Sequence, residues 1–237
     1  MKEKFPENVP RHIGIILDGN RRFAKQLMLK PWKGHEWGKE KVKKLIGWCG
    51  DLKIHEVTLY AFSIQNFSRP KEEFNYIMQL FEDAARELLV DKRIDENRIR
   101  IRFIGRIKMF PQRIYALMQE IMEKTKKHDK YLINFAMAYG GREEVLDAVK
   151  KIAAEAKMGE IDVEKINEEL FSDHLNLNSE PDLIIRTGGE RRTSNFLIWQ
   201  SNYSEWIFLE KKWPEFEKED LVECIQEYQH RQRRFGK

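Results

Sequence analysis

Six short apolar runs, at 12–17, 55–62, 99–104, 131–138, 182–186 and 205–209, alternate along this chain with stretches whose apolar residues recur at helical spacing. That alternation leaves few folds open. Each helix must cover a strand face, and a crossover through a helix returns the chain parallel to the strand it left, so the pattern calls for βα units around a mainly parallel sheet. Between the runs, 36–50 sets Val42, Leu45, Ile46 and Cys49 on one stripe, and 72–90 does the same with Phe74, Ile77, Met78, Phe81, Ala85, Leu88 and Leu89. Pro111 opens a predicted helix at 111–127, Gly140-Gly141 precede one at 142–157, and a last helix covers about 215–234. With no repeat, low-complexity segment or long linker, residues 1–237 read as one α/β domain.

Composition narrows the function classes. At 41% hydrophobic and 35% charged residues the chain is too apolar for disorder. No run reaches the roughly 18 apolar residues of a membrane span, and MKEKFPENVPRH lacks the apolar core of a signal peptide. Cys49 and Cys224 have no metal-type spacing and are expected as reduced core thiols of a cytoplasmic protein. The net charge of +4, from 43 basic and 39 acidic residues, is spread along helix faces without a nucleic-acid module, so no nucleic-acid partner is expected.

Two segments carry chemistry. HIGIILDGNRRFAK, residues 12–25, is a strand that stops at Asp18-Gly19-Asn20 and turns helical. An acid at the carboxyl end of a parallel strand, followed by a helix start and by Arg21 and Arg22, marks the place where open α/β sheets bind anions. DLIIRTGGERRTSNFLIWQSNYSEWIFLE, residues 182–210, places Arg186, Arg191, Arg192 and Ser194 just past another buried strand. Forked guanidinium donors suit a phosphate ester, Gly188 and Gly189 allow close backbone approach, and Glu205 offers a carboxylate for a hard divalent cation. Taken alone, the 12–25 segment is equally well a surface strand-to-helix turn with solvated arginines; both segments together argue against that. The stripe at 72–90 also has two readings: plain core, or one wall of an apolar tunnel opening at the phosphate sites.

With these blocks in order, the chain resembles the cis-prenyltransferases, the (Z)-prenyl diphosphate synthases of the undecaprenyl diphosphate synthase type, in an archaeal-type form. The resemblance runs through HIGIILDGNRRFAK with Gly34-His35, LYAFSIQNFSRP at 59–70, NFAMAYGGREE at 134–144, the 182–200 block with Tyr203 and Glu205, and the closing Arg234-Phe235-Gly236. It implies a six-stranded, mostly parallel sheet flanked by helices with a hydrophobic tunnel, a homodimer, and Mg²⁺-dependent condensation of isopentenyl diphosphate with an allylic prenyl diphosphate. It also implies roles. Asp18 and Glu205 would hold Mg²⁺. Gly19, Asn20, Arg21, Arg22 and His35 would surround the allylic diphosphate, with His35 a candidate acid toward the leaving group. Arg186, Arg192 and Ser194 would bind isopentenyl diphosphate; in the block between the sites Ser63 and Asn66 would be catalytic, with Asp18 and His35, and Gln65 and Arg69 would bind substrate; Arg234 and Gly236 would reach the neighbouring subunit's site. The proton acceptor stays open between a diphosphate oxygen, Asp18 and a group near Asn66.

The chain departs from the family pattern at Ile64-Gln65, where a hydroxyl residue and Glu usually precede Asn66, and at Ala138, where Asn is frequent. A neutral Gln65 raises the alternative of a relaxed acceptor, another prenyl diphosphate or an alcohol. A non-catalytic partner subunit is a further alternative, disfavoured because Asp18, Arg22, Arg186 and Arg192 are all present. Phe74, Tyr76, Phe81 and Phe103 are candidates for a tunnel floor. A lipid product also implies transient peripheral contact with a membrane.

Overall fold

A computed structural model describes residues 9–231. Six strands form one sheet: β1 (His12–Ile16), β2 (Glu56–Ser63), β3 (Ile99–Ile104), β4 (Tyr131–Tyr139), β5 (Leu183–Arg186) and β6 (Glu205–Phe208), in the order β3-β4-β2-β1-β5-β6. Every neighbouring pair is parallel. The helices are α1 (Asn20–Gln26), α2 (Gly34–Asp51), α3 (Lys71–Val90), α4 (Lys92–Glu96), α5 (Gln112–Thr125), α6 (Gly141–Lys157), α7 (Glu168–Asp173) and α8 (Lys218–His230). All six predicted strands and the long helices are present. The short α4 and α7 have too few residues to show a period.

The central strands β1 and β5 are buried along their whole length, as a parallel sheet covered on both faces requires, whereas edge strand β3 is partly exposed. On one face, Ile13, Ile15, Val57, Leu59, Leu183 and Ile185 pack with Leu45 and Cys49 of α2 and Leu221, Cys224 and Ile225 of α8. Further along that face, α3 and α5 bring Ile77, Met78, Ile114 and Met118 onto Phe62 and Met137. The opposite face carries Ile16, Tyr60, Ala136 and Ile184 against Leu177, Phe196 and Leu197. Cys49 and Cys224 are buried free thiols, and burial pushes both pKa values up, as expected of core cysteines.

Two irregularities shape the site. Between Tyr60 and Phe62 the β2–β4 register slips, Tyr60 opposing Ala136 and Phe62 opposing Met137, so Ala61 is an extra residue that turns Phe62 onto the α3–α5 side. The next slip leaves Ala138 extra on β4, with φ of 49°. Asn tolerates that left-handed conformation better than Ala, which gives the frequent Asn of the family pattern a backbone reason.

Sheet order places the site. After β1 the chain crosses to β2 on one side; after β5 it crosses to β6 on the other, and β1 and β5 are neighbours. The crevice between their carboxyl ends is the switch point where open sheets take ligands, and Asp18 and Arg186 both stand there.

Candidate active site

Asp18 leaves β1 two residues past its end. The turn is held by main-chain carbonyl Asp18 O, which accepts from Thr187 Oγ1 at 2.8 Å and from Trp213 N at 2.9 Å. Gly19 follows with φ of 104°, where a Cβ would lie 2.7 Å from Lys212 Cβ, so the turn requires glycine. Asp18 Oδ1 accepts from the Gly19 amide at 2.6 Å and lies 3.3 Å from Arg22; Oδ2 accepts from Arg186 at 2.9 Å. Arg186 is buried. One of its nitrogens donates to Ser194 Oγ at 2.7 Å and to Arg192 O, and its Nε has no partner. An unpaired buried guanidinium N–H is costly in the free protein and suits an arriving oxyanion.

α1 has only seven residues and no capping side chain, so positive charge at its start comes chiefly from Arg21 and Arg22 rather than from a helix dipole. Arg22 and Arg192 converge on Glu190, at 3.7 and 2.6 Å. A carboxylate seated between two guanidinium groups marks a position that a phosphate oxygen can take over. These residues, with Leu17, Lys25, His35 and Arg69, line a polar recess of about 390 Å³.

His35 opens α2 beside that recess. Arg69 lies 3.2 Å from its Nε2, and a guanidinium can only donate, so Nε2 is an acceptor and carries no acidic proton. Burial, then Arg69 and Arg21, pull the imidazole pKa down to about 3. His35 is therefore a neutral acceptor in the free protein, which argues against its expected role as an acid. Arg69 is itself held by the buried Glu73 at 2.9 Å, and Glu73 also lies 3.6 Å from Arg21.

An apolar cavity of about 320 Å³ opens at the same pole. Asp18, Asn20, His35, Ser63, Asn66, Arg69 and Arg186 are among its polar lining, as are Lys39, Lys43, Glu87 and Asp91, of which Lys39 and Lys43 pair with Glu87. Its walls are Val42 and Ile46 of α2, Leu80, Phe81, Ala84 and Leu88 of α3, and Phe62, Phe103 and Met137 from the sheet. The lining from Ile77 to Leu88 follows about 17 Å of helix. The α3 stripe thus serves both readings: Met78 packs as core away from the cavity, while the buried Ile77 and Ala85 line the channel together with Leu80, Phe81, Ala84 and Leu88. Of the four expected floor residues, Phe81 and Phe103 line the cavity. Phe74 packs on Phe67 instead, and Tyr76 hydrogen-bonds Glu36, so neither is a floor.

The remaining expectations divide. Asn66 Oδ1 accepts from the Ser63 amide at 3.0 Å, so the pair caps the 3₁₀ turn Ile64–Ser68 while lining the cavity. Gln65 is exposed on that turn and lines neither cavity, so the relaxed-acceptor idea finds no support at this residue. The amides of Gly188 and Gly189 donate to Lys211 O and Leu209 O, so they brace the loop instead of cradling phosphate. Arg191 points to exposed Glu210 at 4.0 Å, away from the recess. Glu205 does not join Asp18: it opens β6 level with Leu183, about 10 Å along the strand from the Arg186 end, and is paired with Arg231 at 2.8 Å. Arg234 and Gly236 lie outside the described residues. Sequence reasoning missed Glu190, a carboxylate within an arginine cluster, and Glu73, whose position four residues after Arg69 on a helix start was the available signal.

Among the described residues no three His, Cys, Asp or Glu groups gather as a metal site. That is compatible with Mg²⁺, which characteristically takes one or two carboxylates and fills its shell with water and substrate phosphate. Asp18, whose oxygens are paired with Arg186 and Arg22 in the free protein, would be the carboxylate to hold such an ion together with the oxygens of a bound diphosphate.

A family model described as "Putative undecaprenyl diphosphate synthase" matches residues 16–236. The tritrans,polycis-undecaprenyl-diphosphate synthase (geranylgeranyl-diphosphate specific) of Methanocaldococcus jannaschii is 48% identical over 98% of this chain and 84% of its own length. The protein of the same name from Thermoplasma acidophilum is 45% identical over 99% of this chain and 91% of its own. Among solved structures, lavandulyl diphosphate synthase from Lavandula x intermedia in complex with dimethylallyl diphosphate superposes with a TM-score of 0.91 at 33% identity, covering 97% of this chain and 99% of that one.

Proposed function

Since this chain belongs to the cis-prenyltransferases, we propose that it condenses isopentenyl diphosphate with an allylic prenyl diphosphate, geranylgeranyl diphosphate by preference, to give a long (Z)-polyprenyl diphosphate. The observation that carries this reading is the joining of two environments at one pole. A polar recess ringed by Arg22, Arg69 and Arg192 meets an apolar channel at Asp18 and His35. A diphosphate head and a hydrocarbon tail require that junction.

The residues suggest a division of labour. Arg22, Arg192 and the acceptor His35, with Arg69 and Arg21 behind it, hold the allylic head. Arg186 and Ser194 receive isopentenyl diphosphate, in which the unpaired Arg186 Nε finds its partner. Two fixed heads align the isopentenyl double bond with the allylic carbon, which supplies the orientation term of the barrier. The arginines neutralise charge where the leaving diphosphate forms, and the apolar walls keep water from the allylic centre. Mg²⁺ held by Asp18 would add Lewis-acid stabilisation of that charge. Residues 1–237 act as one catalytic domain in this reading, as a homodimer in the cytoplasm with transient contact at the membrane.

Incubating purified protein with Mg²⁺, labelled isopentenyl diphosphate and allylic primers of increasing length tests it. Polyprenyl diphosphates with Z double bonds, favoured by the C20 primer, are expected. Absence of elongation with every primer, or all-E products, overturns it. Dimethylallyl diphosphate as sole substrate checks the acceptor, given the likeness to lavandulyl diphosphate synthase.

A further inference from the structure

The turn after α1 breaks a rule that folded surfaces otherwise keep. Leu27, Met28 and Leu29 stand consecutively in solvent, 45%, 94% and 40% exposed. Three adjacent exposed apolar residues are a defect unless something covers them. Met28 compounds the cost, because its φ of 56° is a left-handed conformation that a long L side chain rarely takes. The chain thus spends backbone strain to hold a Met outward where Gly or Asn would form the same turn.

Chemistry around the tip identifies the cover. Residues 21–33, RRFAKQLMLKPWK, contain Arg21, Arg22, Lys25, Lys30 and Lys33 and no acid. Lys30 pairs with Glu72 and Lys33 with Glu36, both in exposed ion pairs that exchange for other anions at little cost. Trp32 lies under Lys30, with the ammonium 5.1 Å from its ring, and Trp37 is 40% exposed on α2 against Phe23. An aliphatic apex, flanking tryptophans and a surrounding ring of cations match the three zones of an anionic bilayer surface: acyl region, interface and phosphate layer. The same segment lines the diphosphate recess through Arg21, Arg22 and Lys25, so docking through the tip sets the mouth of the site at the headgroup level.

We propose that Leu27-Met28-Leu29, with Trp32, Trp37 and the neighbouring lysines, is a docking tip that inserts into the surface of an anionic lipid bilayer. The docking surface stands on its own geometry; only its use, delivery of a lipid product, rests on the proposed function. The test is flotation of the full chain, without substrate, with vesicles of phosphatidylglycerol and phosphatidylcholine or of phosphatidylcholine alone. Wild-type protein floats with the anionic vesicles and is released by added salt. A chain with Leu27→Ser, Met28→Asn and Leu29→Ser binds at least about tenfold more weakly, and Met28→Asn alone shows a smaller drop, with condensation of soluble short primers unchanged in both. Wild type that stays unbound on anionic vesicles overturns the proposal, as does a triple variant that floats like wild type. A triple variant whose solution mass falls to that of a smaller oligomer overturns it too, because the tip would then be covered by a second copy. Vesicle binding without any condensation activity would refute the enzymology and leave the tip standing.

Discussion

Acid should expose the state of His35. Its imidazole accepts from Arg69 and faces Arg21, and its pKa lies near 3 in the folded chain against 6.5 when unfolded. Above 6.5 the ring is neutral in both states and adds no pH dependence. As pH falls through the window from 6.5 towards 3, the unfolded chain takes up a proton that the folded one refuses, and native stability drops. The slope is about 1.4 kcal/mol per pH unit. Near pH 4.5 that amounts to roughly 2.7 kcal/mol, and partial solvent access to the ring brings the expected loss to about 2 kcal/mol. His35→Gln keeps a carbonyl acceptor for Arg69 and removes the titration. Urea unfolding of both proteins at pH 7.5 and pH 4.5 gives a double difference in which other titrations cancel, including that of His12, whose pKa burial also lowers. The variant should lose about 2 kcal/mol less on acidification than wild type does. An equal loss in both proteins refutes the argument, and so does a resonance of His35 that titrates above pH 6.

Other expectations can be checked directly. Arg186→Lys replaces a fork that spans Asp18, Ser194 and Arg192 with a single ammonium, so KM for isopentenyl diphosphate should rise roughly tenfold or more with KM for the allylic primer little changed. Gly19→Ala combines φ of 104° with a Cβ 2.7 Å from Lys212 and should cost roughly 2 kcal/mol or more, read as a lowered Tm. Ala84→Phe puts a ring into the channel wall and should shorten the product by one or more five-carbon units in mass spectra, each enclosed unit being worth at most roughly 4 kcal/mol. Gln65→Glu, on an exposed turn, should leave the acceptor profile unchanged.

Site residues were legible where function sits at the ends of strands. Asp18 and Arg186 follow apolar runs that could only be buried parallel strands, so their residue types and their polarity on the sheet were both readable. Glu205 looked equivalent because it adjoins an apolar run as well. It precedes that run, and only the β5–β6 register shows that this places it at the far end of the sheet. Gly188 and Gly189 likewise suggested a phosphate cradle, but where their amides point depends on a segment more than twenty residues downstream. Glu73 has no sequence signal beyond its spacing from Arg69, and its burial between Arg69 and Arg21 arises only when α1 meets the start of α3.

Periodicity is a local property, set by whether one or both faces of a segment are covered, so the chain's own residues determined the six strands, the long helices and the residue types of a diphosphate site. Strand neighbours are not local. The adjacency of β1 and β5 across 170 residues of chain, which brings Asp18 within 2.9 Å of Arg186, was decided by packing on both faces of the sheet. The channel between α2 and α3 was decided the same way. An apolar stripe minimises its exposure equally well against core or around a hydrocarbon, and only the spacing of the assembled helices distinguishes the two.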